Sequence, residues 1–311
     1  MTQTSQLRKA TRQKAKIRLG LSAVSGGGKT YTGILIGKGL AKGDLSKVAI
    51  IDTENNSADL YAHLGPYNVL PLSPPYTPES YIKAIKECEE AGMEVIMIDS
   101  ITAEWEGKGG CLEIHSSMTG NSYTNWALVT PRHQAFINAI LQSKCHVITT
   151  VRRKQDYEMS KSENGKTKVE KVGLKEITRE GFEYEVTVNL ELDTKHNATS
   201  SKDRTGLFAD QPPFVPSEET GRKILEWCES GSEVIATPSA KEASIQRLKD
   251  SKDIKELAAQ YHVLSNDLKK DLDIMKLKEE RKSELSTKNL PHLHDSPNEI
   301  KRSIEIASRE Y

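Results

Sequence analysis

Short apolar segments alternate with longer segments of helical periodicity along the first half of the chain. The pattern predicts strands at Ile17–Ala23, Val48–Asp52, Val95–Asp99 and His146–Thr150, and helices from Lys29 to about Ala41, from Pro78 to about Ala91 and over Pro131–Gln142. Thr77 and Pro78 are a capping residue and a first-turn proline, which start helices. Alternating strands and helices are typical of a mostly parallel sheet flanked by helices, so we predict an α/β fold.

The pattern changes after residue 150. Residues 152–174 are polar, and Asn164-Gly165 is a strong hairpin turn signal. Tyr184–Asp193 returns to a strand pattern, and three prolines within Gln211–Pro216 then end the predicted core. We therefore expect a basic tail over residues 1–16, an α/β core over 17–215 and a small helical C-terminal region over 216–311.

Composition narrows the class of protein only moderately. The chain has 311 residues, enough for one sizeable domain and a smaller one, and its 44 basic and 44 acidic side chains balance. The four cysteines form no CxxC pair. Cys111 and His115 could share a helix face, but two ligands are weak support for zinc, so we expect a reduced chain without structural zinc. We see no signal peptide and no apolar run of about 18 residues, and expect a cytoplasmic protein without membrane contact.

The strongest chemical signal lies between the first predicted strand and helix. It reads Ala23-Val24-Ser25-Gly26-Gly27-Gly28-Lys29-Thr30, with alanine where this motif usually begins with glycine. Glycines let backbone N–H groups approach phosphates, and the following helix adds its N-terminal dipole. Lys29 is expected to reach the β- and γ-phosphates, and Thr30 to ligate Mg²⁺. Ser25–Thr30 is therefore predicted to bind MgATP; the alternative is a flexible glycine turn.

Two acids follow apolar strands. Asp99 ends Val95–Asp99 and is predicted to hold Mg²⁺ together with Thr30; capping the next turn is the alternative. Glu54 follows Val48–Asp52, where a carboxylate could orient the attacking water. Asp52 and Asp59 are rivals for that catalytic role, and an ordinary surface position for Glu54 is also open.

These segments resemble the RecA-type recombinase core over roughly residues 15–215. The resemblance rests on IIDTENNSADLYA, VIMIDSITAEWEGKGG and CHVITTVRRKQDY. It implies a RecA-like P-loop NTPase fold, with Glu54 as the catalytic glutamate and Asp99 as the metal-associated aspartate. IDSITAEWEGKGG, GFEYEVTVNLELD and HNATSSKDRTGLF are more similar to the phage-encoded RecA-like ATPases, an AAA-family group linked to single-strand annealing and recombination.

Two features depart from the RecA pattern. Thr150 stands where RecA carries a γ-phosphate-sensing glutamine, and only a short basic tail precedes the phosphate loop, where RecA has an oligomerisation helix and strand. Sensing of the γ-phosphate and the mode of polymerisation therefore stay open.

The polar stretch after residue 150 is the main candidate for contact with single-stranded DNA. Residues 152–175 contain eight basic and four acidic side chains, and the RecA resemblance places them beside bound DNA. Basic groups would neutralise phosphates and an aromatic ring would stack on a base. The candidates are Arg152, Arg153, Lys154, Tyr157, Lys166 and Lys168. A solvated hairpin explains the same composition, and the polar loop between Trp105 and Trp126 is a second candidate.

Lys202 and Arg204 are candidates for completing the nucleotide site of a neighbouring subunit. RecA-like proteins place cations from the next protomer at the γ-phosphate, and the alternate spacing of these two residues points both side chains the same way on an extended segment. An ordinary surface turn is the alternative.

The sequence thus predicts a DNA-dependent, MgATP-hydrolysing enzyme that promotes annealing or strand exchange. The expected partners are single-stranded DNA, further copies of the chain in a ring or filament, and a single-strand-binding or other replication protein. A replication helicase or loader ATPase, and a nucleotide-gated binding module with little hydrolysis, are the alternative functions.

Overall fold

A computed structural model of the chain describes residues 10–161, 167–232 and 240–288. The chain forms two compact units, divided between Val234 and Ile235. Each unit has its own hydrophobic core.

The first unit is built on one sheet of eight strands. Their bounds are β1 Arg18–Ala23, β2 Val48–Asp52, β3 Asn68–Pro71, β4 Val95–Asp99, β5 His146–Lys161, β6 Thr167–Glu176, β7 Val188–Leu192 and β8 Ala198–Asp203. The order is β3-β2-β4-β5-β1-β7-β8, and β6 pairs with β5. All neighbours are parallel except β8 on β7 and β6 on β5. The predicted α/β fold with a mostly parallel sheet is confirmed.

Seven helices of the first unit are described. They are α1 Lys29–Leu40, α2 Pro78–Glu90, α3 Thr102–Glu106, α4 Cys111–Ser117, α5 Ser122–Gln142, α6 Phe182–Glu185 and α7 Glu218–Glu229. Short 3₁₀ helices span Leu45–Lys47 and Ser57–Leu64. The described part of the second unit contains α8 Ala240–Asp250, α9 Ile254–His262, α10 Asn266–Lys269 and α11 Leu272–Lys288.

The sheet separates two hydrophobic cores because its side chains alternate between its faces. On β2, Ile50 packs in the core that contains α1 and α7, whereas Ile51 packs in the core that contains α2 and α5. The same alternation puts Met97 of β4 on the α1 face and Ile98 on the opposite face. Strands β2 and β4 are thereby fixed in register on both sides.

Helix α7 lies against α1 through two glycines. A Cβ on Gly39 would lie 2.1 Å from the Glu218 carbonyl oxygen, and a Cβ on Gly221 would lie 2.2 Å from the Ile36 carbonyl oxygen. The two helix backbones therefore touch directly. This contact puts residues 217–232 in the first unit, whereas the sequence analysis started the C-terminal region at residue 216.

The described part of the tail, from Ala10 onwards, and the proline segment also belong to the first unit. Gln13 forms a parallel bridge with Ser232, and the Arg12 guanidinium lies 4.4 Å from the centre of the Trp227 ring. Phe214 pairs with Ala198 at the start of β8. Residues 12–15 are thus bonded to the end of α7 rather than forming a free arm.

Three predicted elements differ from those observed. Helix α5 begins at Ser122, where Asn121 Oδ1 caps the Tyr123 N–H, and Pro131 lies inside the helix. The segment between Trp105 and Trp126, predicted as a loop, contains α4 and the first turn of α5. The strand predicted from Tyr184 begins at Val188, because residues 182–185 form α6.

The second unit has a small core of its own. Leu248, Leu257, Ile274 and Leu285 are buried together, and Lys241 pairs with Asp271 and Asp273. Within the described ranges of the whole chain, no helix combines the length and apolar character needed to cross a membrane.

The glycine contact between α1 and α7 yields a stability prediction. Gly221→Ala should lower the free energy of unfolding by about 1–3 kcal/mol, because the added methyl group would overlap a carbonyl oxygen. Gly37→Ala is the matched control, since its Cβ would meet Val48 Cγ1 at an ordinary 3.5 Å. The control should be neutral or gain up to about 1 kcal/mol from helix propensity. Urea unfolding of both variants measures the difference, and equal stability would refute the direct backbone contact.

Candidate nucleotide site

The loop between β1 and α1 is shaped to receive phosphates. Gly26 and Gly28 have φ values of 80° and 82°, a region that favours glycine, and Gly28 caps α1. The Gly27 N–H donates to the Val24 carbonyl at 3.1 Å and closes the turn. The loop therefore presents its backbone next to the N-terminus of α1, as the sequence predicted.

Lys29 is held beneath this loop. Its Nζ donates to the carbonyl oxygens of Ala23 and Val24 at 3.3 and 3.2 Å. Burial lowers the pKa of Lys29, and the carboxylates of Asp99 and Glu54 oppose that shift. The phosphate loop itself therefore holds the ammonium group that is expected to contact the phosphates.

Asp99 joins three elements of the site. Its Oδ2 accepts from the Thr30 hydroxyl at 2.6 Å and its Oδ1 accepts from the Thr150 hydroxyl at 2.5 Å. The side chain is only 1% exposed, and burial raises its pKa although both threonines oppose this. Thr30 and Asp99 are therefore together, as a shared Mg²⁺ site requires. Thr150 of β5 therefore contacts Asp99 directly.

Glu54 is paired with Arg152. The Arg152 Nε donates to Glu54 Oε1 at 2.9 Å, and both residues line the same cavity as Lys29 and Thr30. Burial alone would raise the pKa of Glu54, but the hydrogen bond and charge of Arg152 and the charge of Lys29 outweigh it and hold that pKa below its ordinary value. The group is therefore an ionised carboxylate at the edge of the site.

The two rival acids are placed differently. Asp52 is buried, with Oδ1 accepting from the Glu54 N–H at 2.6 Å and Oδ2 from the Ala58 N–H at 2.9 Å. Both of its oxygens hold the turn that carries Glu54. Asp59 is exposed and is not among the residues that line the cavity. The geometry favours Glu54 for a role in the cavity.

A cavity of about 490 Å³ lies over the phosphate loop. Besides the residues predicted for the nucleotide site, its lining includes eight that the sequence analysis did not assign to it: Tyr31, Thr32, Ser57, Tyr61, Arg152, His196, Val215 and Pro216. The Ser57 hydroxyl oxygen is buried and has no hydrogen-bond partner among the described residues. An unpartnered polar group, a glycine cradle and the Thr30–Asp99 pair together fit a nucleotide with Mg²⁺.

His196 comes from a distant segment and lies against the phosphate loop. A Cβ on Gly28 would lie only 2.7 Å from His196 Nδ1. Asp193 holds the turn by accepting from the N–H groups of Lys195 and Asn197 at 2.7 and 2.8 Å. In the sequence, Asp193 and Asn197 on either side of His196 indicate an ordered turn. The position of this turn over Gly28, however, depends on the pairing of β7 with β1.

The predicted DNA-contacting residues are not all in one place. Arg152 lines the nucleotide cavity. Arg153 Nη1 pairs with Glu191 at 2.7 Å, and its Nη2 donates to the Leu174 carbonyl oxygen. Lys154 is 62% exposed, with Glu106 at 4.0 Å. Lys166 and the side chains of Tyr157 and Lys168 lie outside the described residues. The antiparallel arms β5 and β6 of the expected hairpin are present.

A larger open cavity of about 780 Å³ lies beside the base of this hairpin. Trp105 and Trp126 stack there with ring centres 5.7 Å apart. Its charged lining residues are Glu106, Lys154, Asp156, Lys175, Glu176, Arg179 and Glu180. Since acids slightly outnumber bases, aromatic stacking rather than net charge is what this cavity offers to a ligand.

Lys202 and Arg204 lie outside the nucleotide cavity of their own chain. Both donate to the carbonyl oxygen of Tyr184, as expected if their side chains point the same way. Asp203 fixes the following turn by accepting from the N–H groups of Thr205 and Phe208 at 2.6 and 2.7 Å.

Comparison with known proteins assigns the family. Residues 15–217 match the family model described as an AAA domain. A comparison with curated proteins gives no match. The matched range contains the phosphate loop, Glu54, Asp99 and the sheet that brings them together. The chain belongs to this AAA-domain family, and these residues form an AAA-type P-loop ATPase domain.

Proposed function

We propose that the protein is an ATPase that binds single-stranded DNA and couples hydrolysis to annealing or strand exchange. The observation that carries the proposal is the Glu54–Arg152 hydrogen bond. It joins the candidate catalytic carboxylate to the strand that continues into the β5–β6 hairpin, where DNA would bind. Movement of that strand on binding DNA would change the position of Glu54.

The hydrolytic step follows from the groups in the cavity. Glu54 accepts a proton from water as the water oxygen attacks the γ-phosphorus, and the bond from that phosphorus to the bridging oxygen breaks to leave ADP and phosphate. Lys29 and the backbone N–H groups of Gly26–Thr30 would hold the β- and γ-phosphates. Mg²⁺, held through Thr30 and Asp99, would neutralise phosphate charge.

Contact with DNA is supported by chemistry at the base of the hairpin. Lys154 is an exposed cation, and the Trp105–Trp126 pair provides an aromatic surface in the neighbouring cavity. Stacking on such rings is tolerant of base identity and contributes about 1–3 kcal/mol per base. This combination suits single strands, whose bases are available for stacking.

The subunit interface of the proposed oligomer involves Lys202 and Arg204. Neither lines the nucleotide cavity of its own chain; Lys202 lies on the outer antiparallel strand β8, and Arg204 directly follows that strand. A cation there would act on the γ-phosphate of a neighbouring copy, so that each site needs two chains. A ring or filament of identical copies satisfies this requirement.

The first test is ATP turnover with and without single-stranded DNA. Glu54→Gln should lower kcat about 100-fold or more while nucleotide binding persists, because the amide cannot accept the proton from water. Lys29→Ala should abolish turnover, and Asp59→Asn, an exposed acid outside the cavity, should retain it.

DNA should raise wild-type turnover several-fold. Negligible wild-type turnover that Glu54→Gln leaves unchanged would favour a binding module, and turnover indifferent to DNA would favour a protein partner. Unwinding of a forked duplex would favour the helicase function.

The coupling through Arg152 has its own test. In Arg152→Ala, the ratio of turnover with saturating DNA to turnover without it should fall to about one, because Glu54 loses its link to the hairpin strand. The matched control is Lys154→Ala, which removes an exposed cation two residues further along the strand. This control should need more DNA for half-maximal stimulation yet reach the wild-type ratio. A normal ratio in Arg152→Ala would exclude this coupling route.

Action of Lys202 and Arg204 across an interface predicts complementation. Arg204→Ala and Lys29→Ala should each be inactive alone. An equal mixture should regain turnover at about a quarter of its interfaces, where an intact phosphate loop meets an intact Arg204. The ATPase assay on the mixture measures this recovery. If Arg204→Ala alone turns over ATP normally, or the mixture stays inactive, the cations do not act between subunits.

A further inference from the structure

A buried cluster of three metal-binding residue types lies outside the nucleotide site. It consists of Glu104, Cys111 and His133, whose donor atoms all lie within 4.8 Å of one another. Their exposed fractions are 0%, 0% and 4%. Each comes from a different helix, since Glu104 is on α3, Cys111 on α4 and His133 on α5.

The Glu104 carboxylate is at the centre of the cluster. Its Oε1 accepts from Cys111 Sγ at 3.0 Å and lies 3.0 Å from His133 Nδ1, and its Oε2 lies 3.1 Å from the same nitrogen. Within the described part of the chain, this carboxylate has no ion pair with lysine or arginine. A fully buried carboxylate is costly unless a cation compensates it. His133 supplies a charge only when it is protonated.

A tight turn between α3 and α4 brings Cys111 back to Glu104. Gly109 has a φ of 77°, and a Cβ on Gly110 would lie 2.7 Å from the Glu104 carbonyl oxygen. Side chains would not fit at these two positions, so the glycines allow α4 to fold directly onto α3. The cysteine thereby reaches a carboxylate seven residues earlier in the chain.

His133 is presented from the buried face of α5. Val129, Phe136 and Ile137 are buried on the same face, and the Trp105 ring meets the imidazole edge at a centroid distance of 5.4 Å. Packing on both sides fixes the ring with Nδ1 towards Glu104. The donor set is therefore held in place by three helices.

We propose that Glu104, Cys111 and His133 bind one divalent transition-metal ion of the zinc class. Sulfur, imidazole nitrogen and carboxylate oxygen are the donors that zinc selects, whereas Mg²⁺ and Ca²⁺ prefer oxygen alone. Donor atoms around a tetrahedral zinc ion lie about 3.5 Å apart. The two 3.0 Å contacts of Glu104 Oε1 would therefore lengthen by about 0.5 Å, and all the donor atoms already lie within 4.8 Å of one another. Binding replaces the thiol proton of Cys111, which passes to solvent, with a metal–sulfur bond.

The ion would fix the helices on which the tryptophan pair lies. Glu104 directly precedes Trp105, and Trp105 stacks on Trp126 at the start of α5. Three protein ligands joined to one ion tie α3, α4 and α5 together, so metal binding contributes to folding of this region. Metal binding at this cluster would itself require neither ATP nor DNA. The alternative is a metal-free hydrogen-bonded cluster.

Cobalt substitution distinguishes the two alternatives in the full chain. Without nucleotide and Mg²⁺, one equivalent of Co²⁺ should bind and give a thiolate-to-cobalt charge-transfer band, which zinc then displaces. Cys111→Ser should lose the band. Cys88→Ser, at another buried free cysteine in α2, should keep it. Absence of the band in wild type, or its persistence in Cys111→Ser, would overturn the proposal.

A second measurement does not depend on variants that fold. Wild-type protein is stripped with a chelator, and its thermal midpoint is then compared with and without added Zn²⁺. Zinc at about 100 times its dissociation constant should add about 2.7 kcal/mol of stability and raise the midpoint by several degrees. His133→Gln, where it folds, should lose this increase. An unchanged midpoint in wild type would show that the cluster needs no metal.

Discussion

The buried carboxylate of Asp99 is the constraint that the nucleotide site depends on. Both oxygens accept from threonine hydroxyls, one from α1 and one from β5. The alternation along β4 puts Asp99 on the same face as Met97, which packs in the α1 core. A slip of one residue in β4 would turn Asp99 to the other face and separate it from Thr30. The two hydrophobic cores thus position the metal-binding pair.

The same alternation explains the place of Arg152. Ile148 of β5 packs in the α1 core, and Thr150 two residues later reaches Asp99. Arg152 continues this series and therefore arrives at the nucleotide cavity, while Val151 packs in the opposite core. Because β5 runs on to Lys161, one strand carries both a nucleotide-site contact and the first arm of the hairpin.

Much of the fold was predictable because the buried strands are short and uniformly apolar. The bounds of β2 and β4 agree with the sequence prediction, and β1 differs by one residue. Helix α5 was not predicted from Ser122, because the predicted helix covered only Pro131–Gln142. Proline inside a helix removes one backbone hydrogen bond, yet α5 begins at the Asn121 cap and continues through Pro131. The local sequence pattern does not reveal whether a helix starts at a proline or contains it.

Only those residues of the candidate site that belong to a short motif or to the end of a strand were predictable from the sequence. The phosphate loop, Thr30 and Asp99 are identified by motif and strand ends. His196 and Ser57 reach the cavity from other segments, so their position depends on strand order. The choice between Asp52 and Glu54 likewise required hydrogen-bond partners, since both acids follow the same strand. The sequence analysis placed Arg152 at the DNA surface because it considered charge without the two-residue alternation of β5.

The end of β4 connects the nucleotide site with the buried three-residue cluster. After Asp99 the chain enters α3, where the Thr102 hydroxyl accepts from the Arg152 N–H at 3.0 Å. Glu104 follows two residues later on the opposite side of the sheet from α1, beside α5. The backbone of Arg152 is therefore tied to α3, while its side chain is tied to Glu54. An ion that fixes α3 would also fix the point at which β5 leaves the nucleotide site, because Thr102 and Glu104 belong to the same short helix.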